Sequence, residues 1–210
     1  MNSVWPVKSL CSACEIKPAK SETKKLDKDM PVSFLPMEDL GIDQKYPVLK
    51  QTRLLSEVVG SYTYFRDNDI LLAKITPCFE NGKLGIARGL ANQIGFGSSE
   101  YIVFRPSDSL LGEWLYYFLL QPDFRIDGAA SMTGAVGHKR VSKEFIESCQ
   151  IPVPPLPEQK RIVSILDEAF EGIATAKANA EQNLKNVRAL FDSYLDSVFS
   201  QKNNPEWTKT

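Results

Sequence analysis

IPVPPLPEQKRIVSILDEAF, residues 151–170, sets four prolines within six positions, and no further proline follows until Pro205. Proline fixes φ and lacks a backbone N–H, so 152–157 is held extended and cannot drift into helix early. Pro157 suits the first turn of a helix, and Glu158 suits the positive end of its dipole. The stretch therefore reads as a rigid joint, 151–157, between a globular part over 1–150 and a long helix over 158–200.

The helix is predicted from its period. Between Glu158 and Ser200 the only glycine is Gly172. Apolar residues or alanines recur at Ile162, Leu166, Ala169, Ile173, Ala176, Ala180, Leu184, Val187, Phe191, Tyr194 and Val198. These steps of three or four average about 3.6 residues, the helical period. At the usual rise the helix is roughly 65 Å long. An ordinary domain cannot bury such a stripe alone, so the eleven residues are expected to face a partner helix. The steps from Ala176 through Ala180 to Leu184 predict close approach there rather than bulky packing.

Residues 1–150 read as a mixed α/β (α+β) domain. Strands are expected at 32–35, 70–75, 83–87 and 101–105, from short apolar runs bounded by turn residues. Residues 109–121 read as a helix with Leu111, Trp114, Leu115 and Phe118 on one face, ended by Pro122. A polar, glycine-bearing loop is expected over 127–140. Ser142 then caps a short helix reaching about Glu147.

Composition narrows the function classes. The chain is 43% hydrophobic and 24% charged, ordinary values for a globular protein, with net charge −1. Up to Gln150 there are 18 basic and 18 acidic residues, and after it 7 and 8. Neither part has a basic excess, so any nucleic-acid binding must come from a local patch. No apolar run is long enough to span a bilayer and no secretory signal is evident, so a cytoplasmic, membrane-free chain is expected. Cys11 and Cys14 have C-x-x-C spacing, but the only histidine is His138 and no second cysteine pair exists. No metal site is expected, and the four cysteines read as reduced thiols. Finally, Asn2-Ser-Val-Trp5-Pro-Val-Lys8 is echoed by Asn204-Pro-Glu-Trp207-Thr-Lys209, so 201–210 is either a tail or the start of a second repeat.

The junction Ile151-Pro-Val-Pro-Pro-Leu-Pro-Glu-Gln-Lys-Arg-Ile-Val163 resembles that of specificity subunits of type I restriction-modification systems. There it joins a target recognition domain to a conserved spacer helix. Residues 69–83, 95–106 and 32–39 are similar to segments inside such recognition domains. The resemblance covers nearly the whole chain and implies a non-catalytic, DNA-binding part of a restriction system. It implies a domain that reads one half of a bipartite double-stranded DNA target, followed by a long helix that pairs in an antiparallel coiled coil. It implies as partners two adenine-methyltransferase subunits and a translocase/nuclease subunit. S-adenosylmethionine and ATP/Mg would belong to those partners, with no cofactor on this chain. Full-length members carry two recognition domains and two helices; this chain has one of each. It is therefore either a half-subunit working as a homodimer or the N-terminal half of a longer chain, and the Trp207 echo favours the second. Cys11 to Cys14 also departs from the family, which more often has glycine after the opening leucine.

Phosphates are contacted by cations, hydroxyls and N–H groups, and bases by polar side chains aimed at a groove. Two clusters qualify. Lys74, Thr76, Asn81, Lys83 and Arg88 lie on a strand-turn-strand segment, where a phosphate-positioning or purely structural role competes with base reading. Thr133, Gly134, His138, Lys139, Arg140 and Lys143 form a glycine-flexed loop with three adjacent donors, a candidate groove reader. If Lys139 and Arg140 both touch phosphate, replacing both with alanine lowers the salt slope of binding by about 0.9 per contact. The run Tyr62-Thr-Tyr64-Phe65-Arg66 reads as strand packing rather than base stacking. A methyltransferase reading lacks a cofactor-binding glycine turn followed by a helix. The rival class is a protein-interaction module, with Pro152-Val-Pro-Pro155 as a P-x-x-P ligand and the helix as a dimerisation element.

Overall fold

The computed structural model describes residues 5–135 and 137–200. The tail 201–210 lies outside them, and with it the Trp207 half of the echo. In chain order the elements are β1 (Val7–Ser9), α1 (Leu10–Ala13), β2 (Cys14–Ile16), β3 (Pro31–Leu35), β4 (Gln51–Leu54), α2 (Leu55–Val58), β5 (Thr63–Arg66) and β6 (Ile70–Ala73). There follow β7 (Leu84–Ile86), β8 (Ile94–Gly97), β9 (Tyr101–Pro106), α3 (Gly112–Leu120), α4 (Pro122–Ala130), α5 (Lys143–Ser148), β10 (Gln150–Pro152) and α6 (Leu156–Phe199). The chain divides into two compact units, Met1–Val163 and Ser164–Thr210. The four predicted strands are β3, β6, β7 and β9, and Ser142 caps α5 by accepting the Phe145 N–H at 3.1 Å.

The first unit is built on two four-stranded sheets. One has the order β2-β9-β6-β7, antiparallel throughout; the other has the order β4-β3-β8-β5, with β3 and β8 parallel. The run Ile70-Leu-Leu-Ala73 is buried along its whole length because β6 is an inner strand. Leu71, Ala73 and Val103 pack with Leu35, Phe65 and Tyr101 in one core cluster. A second cluster joins Val32, Phe34, Tyr64 and Phe96 to Leu55 and Val58 of α2. The alternation at 62–66 is thus strand packing, with Tyr62 edge-on to Phe34 at 4.8 Å between centroids.

Two expectations need correction. The first is the single apolar face of 109–121. In α3, Tyr116, Tyr117 and Leu119 are buried along with Trp114 and Leu115, while Phe118 is only half-buried. The helix is enclosed by β6, β7 and β9, by α4 and by the proline segment, whose Pro152 carbonyl accepts the Trp114 indole N–H at 2.9 Å. The second is the extent of the loop at 127–140. Pro122 ends α3 but also starts α4, where its missing N–H costs nothing, and the new helix runs through Ala130. Gly128 lets α4 lie against the core, because a Cβ there would meet the Phe79 ring at 2.3 Å.

Hydrogen bonds tie the proline segment to its surroundings at several points. β1 pairs antiparallel with β10, Val7 opposite Pro152, and the Val153 N–H donates to the Pro6 carbonyl at 2.7 Å. α6 begins at Leu156, so Pro157 sits in its first turn. Gln159, fully buried, donates through Nε2 to the carbonyls of Pro154 at 2.7 Å and Ser109 at 2.9 Å. Its Oε1 accepts the Leu111 N–H at 2.8 Å, at the start of α3. Pro154 is buried and its carbonyl is used, so the segment is not an open P-x-x-P ligand.

The second unit carries the helix from Ser164 onward. Ala169, Ile173, Ala176, Ala180, Leu184, Val187, Phe191 and Tyr194 are all exposed, while Ile162, Leu166 and Val198 are half-buried. The buried residues of α6 are Gln159 and Val163, both in the first unit.

Candidate nucleic-acid interface

The two candidate clusters are joined by backbone hydrogen bonds over part of their length. After β6 the chain at Lys74, Ile75 and Thr76 runs beside the segment entering α5. The Thr76 N–H donates to the Lys139 carbonyl at 3.0 Å, and the Val141 N–H to the Lys74 carbonyl at 2.9 Å. Thr133 and Arg140 exchange both backbone bonds, Thr133 N–H to Arg140 O at 3.0 Å and Arg140 N–H to Thr133 O at 2.9 Å. The loop between them therefore has a closed neck. Its path needs glycine. Gly134 has φ +126° and Gly137 φ +81°, and a Cβ on Gly134 would lie 2.9 Å from the His138 carbonyl.

The cations of this region differ in what they already hold. Arg140 forks onto Glu100, Nε to Oε2 at 2.9 Å and Nη2 to Oε1 at 2.7 Å, and its Nη1 donates to the His138 carbonyl at 3.2 Å. Lys74 donates to the Ser99 carbonyl at 2.8 Å, with Glu100 Oε2 at 3.7 Å. Burial is the main influence lowering the Lys74 pKa; Lys17 and Arg140 add to it, and Glu100 opposes it. The hydrogen bond from Arg140 is the main cause holding the Glu100 carboxyl below its ordinary range. The pair is thus intact at neutral pH and is lost only as pH falls through that lowered value. Lys143 pairs with Glu147 one turn along α5, at 3.4 Å with both side chains exposed, a weak interaction in water. Among the described residues, His138 and Lys139 have exposed side chains with no hydrogen bond or ion pair.

Beside the neck lies a cavity of about 360 Å³ with Lys17, Lys74, Lys143 and Glu147 among its lining residues, over Ile16, Ile102, Val141 and Ile146. Lys17 was not legible as a member of this group. It follows β2 in a left-handed turn, φ +58°, and only the pairing of β2 with β9 brings it beside Lys74. Glu100 was equally hidden, since no spacing in the sequence relates it to Arg140.

The first cluster does not stay together. Lys83 is half-buried and donates to the Met37 carbonyl at 2.7 Å. Arg88 donates to Tyr46 Oη and to Glu113, each at 3.0 Å, and lines a different cleft with Arg66, Arg105 and Lys160. Asn81 is exposed on the turn, its N–H bonded to the Pro77 carbonyl at 3.0 Å. Thr76 donates its hydroxyl to Glu80 at 2.9 Å. Of the five residues, Lys74 and Thr76 join the loop, while Lys83 and Arg88 hold the domain together.

Among the described residues no group of histidine, cysteine and acidic side chains is placed to hold a metal ion, and no helix is long and apolar enough to cross a membrane. Cys14 is buried, which pushes its thiol pKa up to about 12 with a smaller contribution from Cys11, and it donates to the Leu10 carbonyl. It is a structural thiol.

A match to the type I restriction modification DNA specificity domain runs over residues 2–186. The chain is 34% identical over 213 residues to the specificity subunit of the type I restriction enzyme EcoAI of Escherichia coli, covering 98% of this chain and 35% of that protein. It is 35% identical over 214 residues to the EcoEI specificity subunit of the same organism, with the same coverage. The chain thus spans about a third of the length of these curated relatives. In shape it is similar to a chain from a type I R-M system studied for complex assembly, with TM-score 0.69 at 22% identity, over 95% of this chain and 46% of that one. The HsdS subunit from Thermoanaerobacter tengcongensis matches with TM-score 0.58 at 23% identity, over 84% of this chain and 40% of that one.

Proposed function

The chain belongs to the type I restriction-modification DNA specificity family, and on that premise we propose that its globular unit reads one half of a bipartite double-stranded DNA target. It does so without chemistry of its own, as a specificity subunit or half-subunit in the cytoplasm. Adenine methylation with S-adenosylmethionine, and ATP/Mg-driven translocation and cleavage, belong to partner subunits: two methyltransferases and a translocase/nuclease. Residues 1–150 act as the recognition domain, 151–157 as the joint and 158–200 as the spacer.

One observation supports this face as the one that meets DNA. Lys17, Lys74, Lys139 and Lys143 gather around a loop whose neck is fixed by backbone bonds and which offers the exposed side chains of His138 and Lys139. Local cations supply the affinity that a chain of net charge −1 cannot supply in bulk. Lys17 and Lys143 suit phosphates, while His138 and Lys139 suit a groove. Lys139→Ala lowers the slope of log affinity against log salt by about 0.9 if its ammonium meets one phosphate. The readout is a salt titration of the chain assembled with its methyltransferase subunits. A slope unchanged in both Lys139→Ala and Lys143→Ala moves the DNA to another face.

The exposed stripe of α6 supports pairing with a second helix, from a homodimer or from the same chain continued. Leu184→Asp buries a charge in such a seam and forfeits about 2 kcal/mol or more of apolar burial per helix. Light scattering reads the loss of assembly, while the melting of the globular unit stays put. Wild-type assembly by this variant removes the seam.

A further inference from the structure

Arg140 and Lys74 would be natural phosphate contacts, yet a carboxylate sits between them. Glu100 lies in the turn from β8 to β9, its N–H 3.2 Å from Ser98 Oγ and its carbonyl accepting the Lys74 N–H at 2.9 Å. Its position is therefore set by the sheet rather than by its own side chain. From there it takes both faces of the Arg140 fork, and the third Arg140 contact goes to the His138 carbonyl. A guanidinium held by three planar bonds cannot turn toward a phosphate without breaking them. A negative charge on a DNA-facing surface also repels the backbone, so it costs affinity for every sequence alike.

We propose that Glu100 is a specificity-positioning residue: it withholds Arg140 and Lys74 from phosphates and fixes the loop that presents His138 and Lys139. The inference rests on the DNA-facing reading of this loop and goes beyond it. Glu100 lowers non-specific binding, which any duplex shares, and preserves the geometry that only the target rewards. Arg140 is then a staple of the recognition loop rather than one of its readers.

The test uses the chain assembled with its methyltransferase subunits. The target is read from the methylated adenines of the host genome, and the duplex carrying it is compared with one whose half-site is scrambled. Glu100→Gln is expected to tighten binding to the scrambled duplex and to steepen the salt slope by about 0.9 for each cation released. The ratio of target to scrambled affinity falls by about tenfold or more, within the range one mismatched base pair produces. Arg140→Lys keeps the charge and forfeits the fork, so the ratio falls with little change in slope. A ratio within about twofold of wild type in either variant overturns the role of Glu100. If Glu100→Gln does not assemble, Arg140→Lys alone decides. A wild-type complex that fails to distinguish the two duplexes defeats the DNA reading itself, which is a different result.

Discussion

Asp69→Ala destabilises the globular unit by about 3 kcal/mol, because the mostly buried Arg105 loses its buried partner and keeps only more exposed carboxylates. Asp69 is 1% exposed at the start of β6. Its carboxylate takes Arg105 in a fork, Oδ1 to Nε at 2.9 Å and Oδ2 to Nη2 at 2.8 Å, and accepts the Arg66 N–H at 2.9 Å. Arg105 carries Glu22 on its other side at 2.8 Å, so β6, β9 and the segment after β2 are tied through one guanidinium. Lys74 directly follows β6 and Glu100 directly precedes β9, so the damage is expected to reach the proposed DNA face through the sheet. Urea unfolding at fixed protein concentration measures it. A loss under about 1 kcal/mol would mean that water reaches the pair and replaces the missing partner. In the sequence Asp69 reads as a turn residue; burial and the Arg105 fork set its actual weight.

Gln159→Leu comes second, at about 3 kcal/mol or more. It leaves the Leu111 N–H and the carbonyls of Ser109 and Pro154 without their partner, each worth about 1–3 kcal/mol when buried. Leucine fills nearly the same space, so the loss reports hydrogen bonding rather than a cavity. On the proposed function, the readout is tolerance of the gap between half-sites. A first helical turn no longer tied to the start of α3 and to the proline segment is expected to accept duplexes with one base pair added or removed. Pro154→Gly with Pro155→Gly gives the same loosening more weakly, since Gln159 still binds the Pro154 carbonyl. Unaltered gap discrimination in Gln159→Leu removes the joint as the element that sets register.

The residue pattern alone marks a mixed α/β part followed by a long helix. Proline chemistry marks the joint whatever surrounds it, and a period near 3.6 sustained through α6 is a property of the chain alone. The short apolar runs likewise mark β3, β6 and β9, inner strands of their sheets, and β7, an edge strand buried along its length. The Pro-Leu-Pro-Glu-Gln junction carried the family, but why it ends in glutamine was invisible until Gln159 was seen bonded to residues 109 and 111, some fifty positions earlier.

The candidate site was legible only in part, for a physical reason. A sequence shows which donors exist, and tertiary structure shows which are already used. Lys83 and Arg88 read as equals of Lys74, yet the fold commits Lys83 to the Met37 carbonyl and Arg88 to Tyr46 and Glu113. Arg140 read as the partner of Lys139 in binding phosphate, and Glu100, forty residues away, takes its fork. Lys17 entered the group through strand pairing alone. Local pattern fixes helices, strands and breaks because those depend on neighbours in the chain. Which charges remain free depends on neighbours in space, and only the packed sheets decided that.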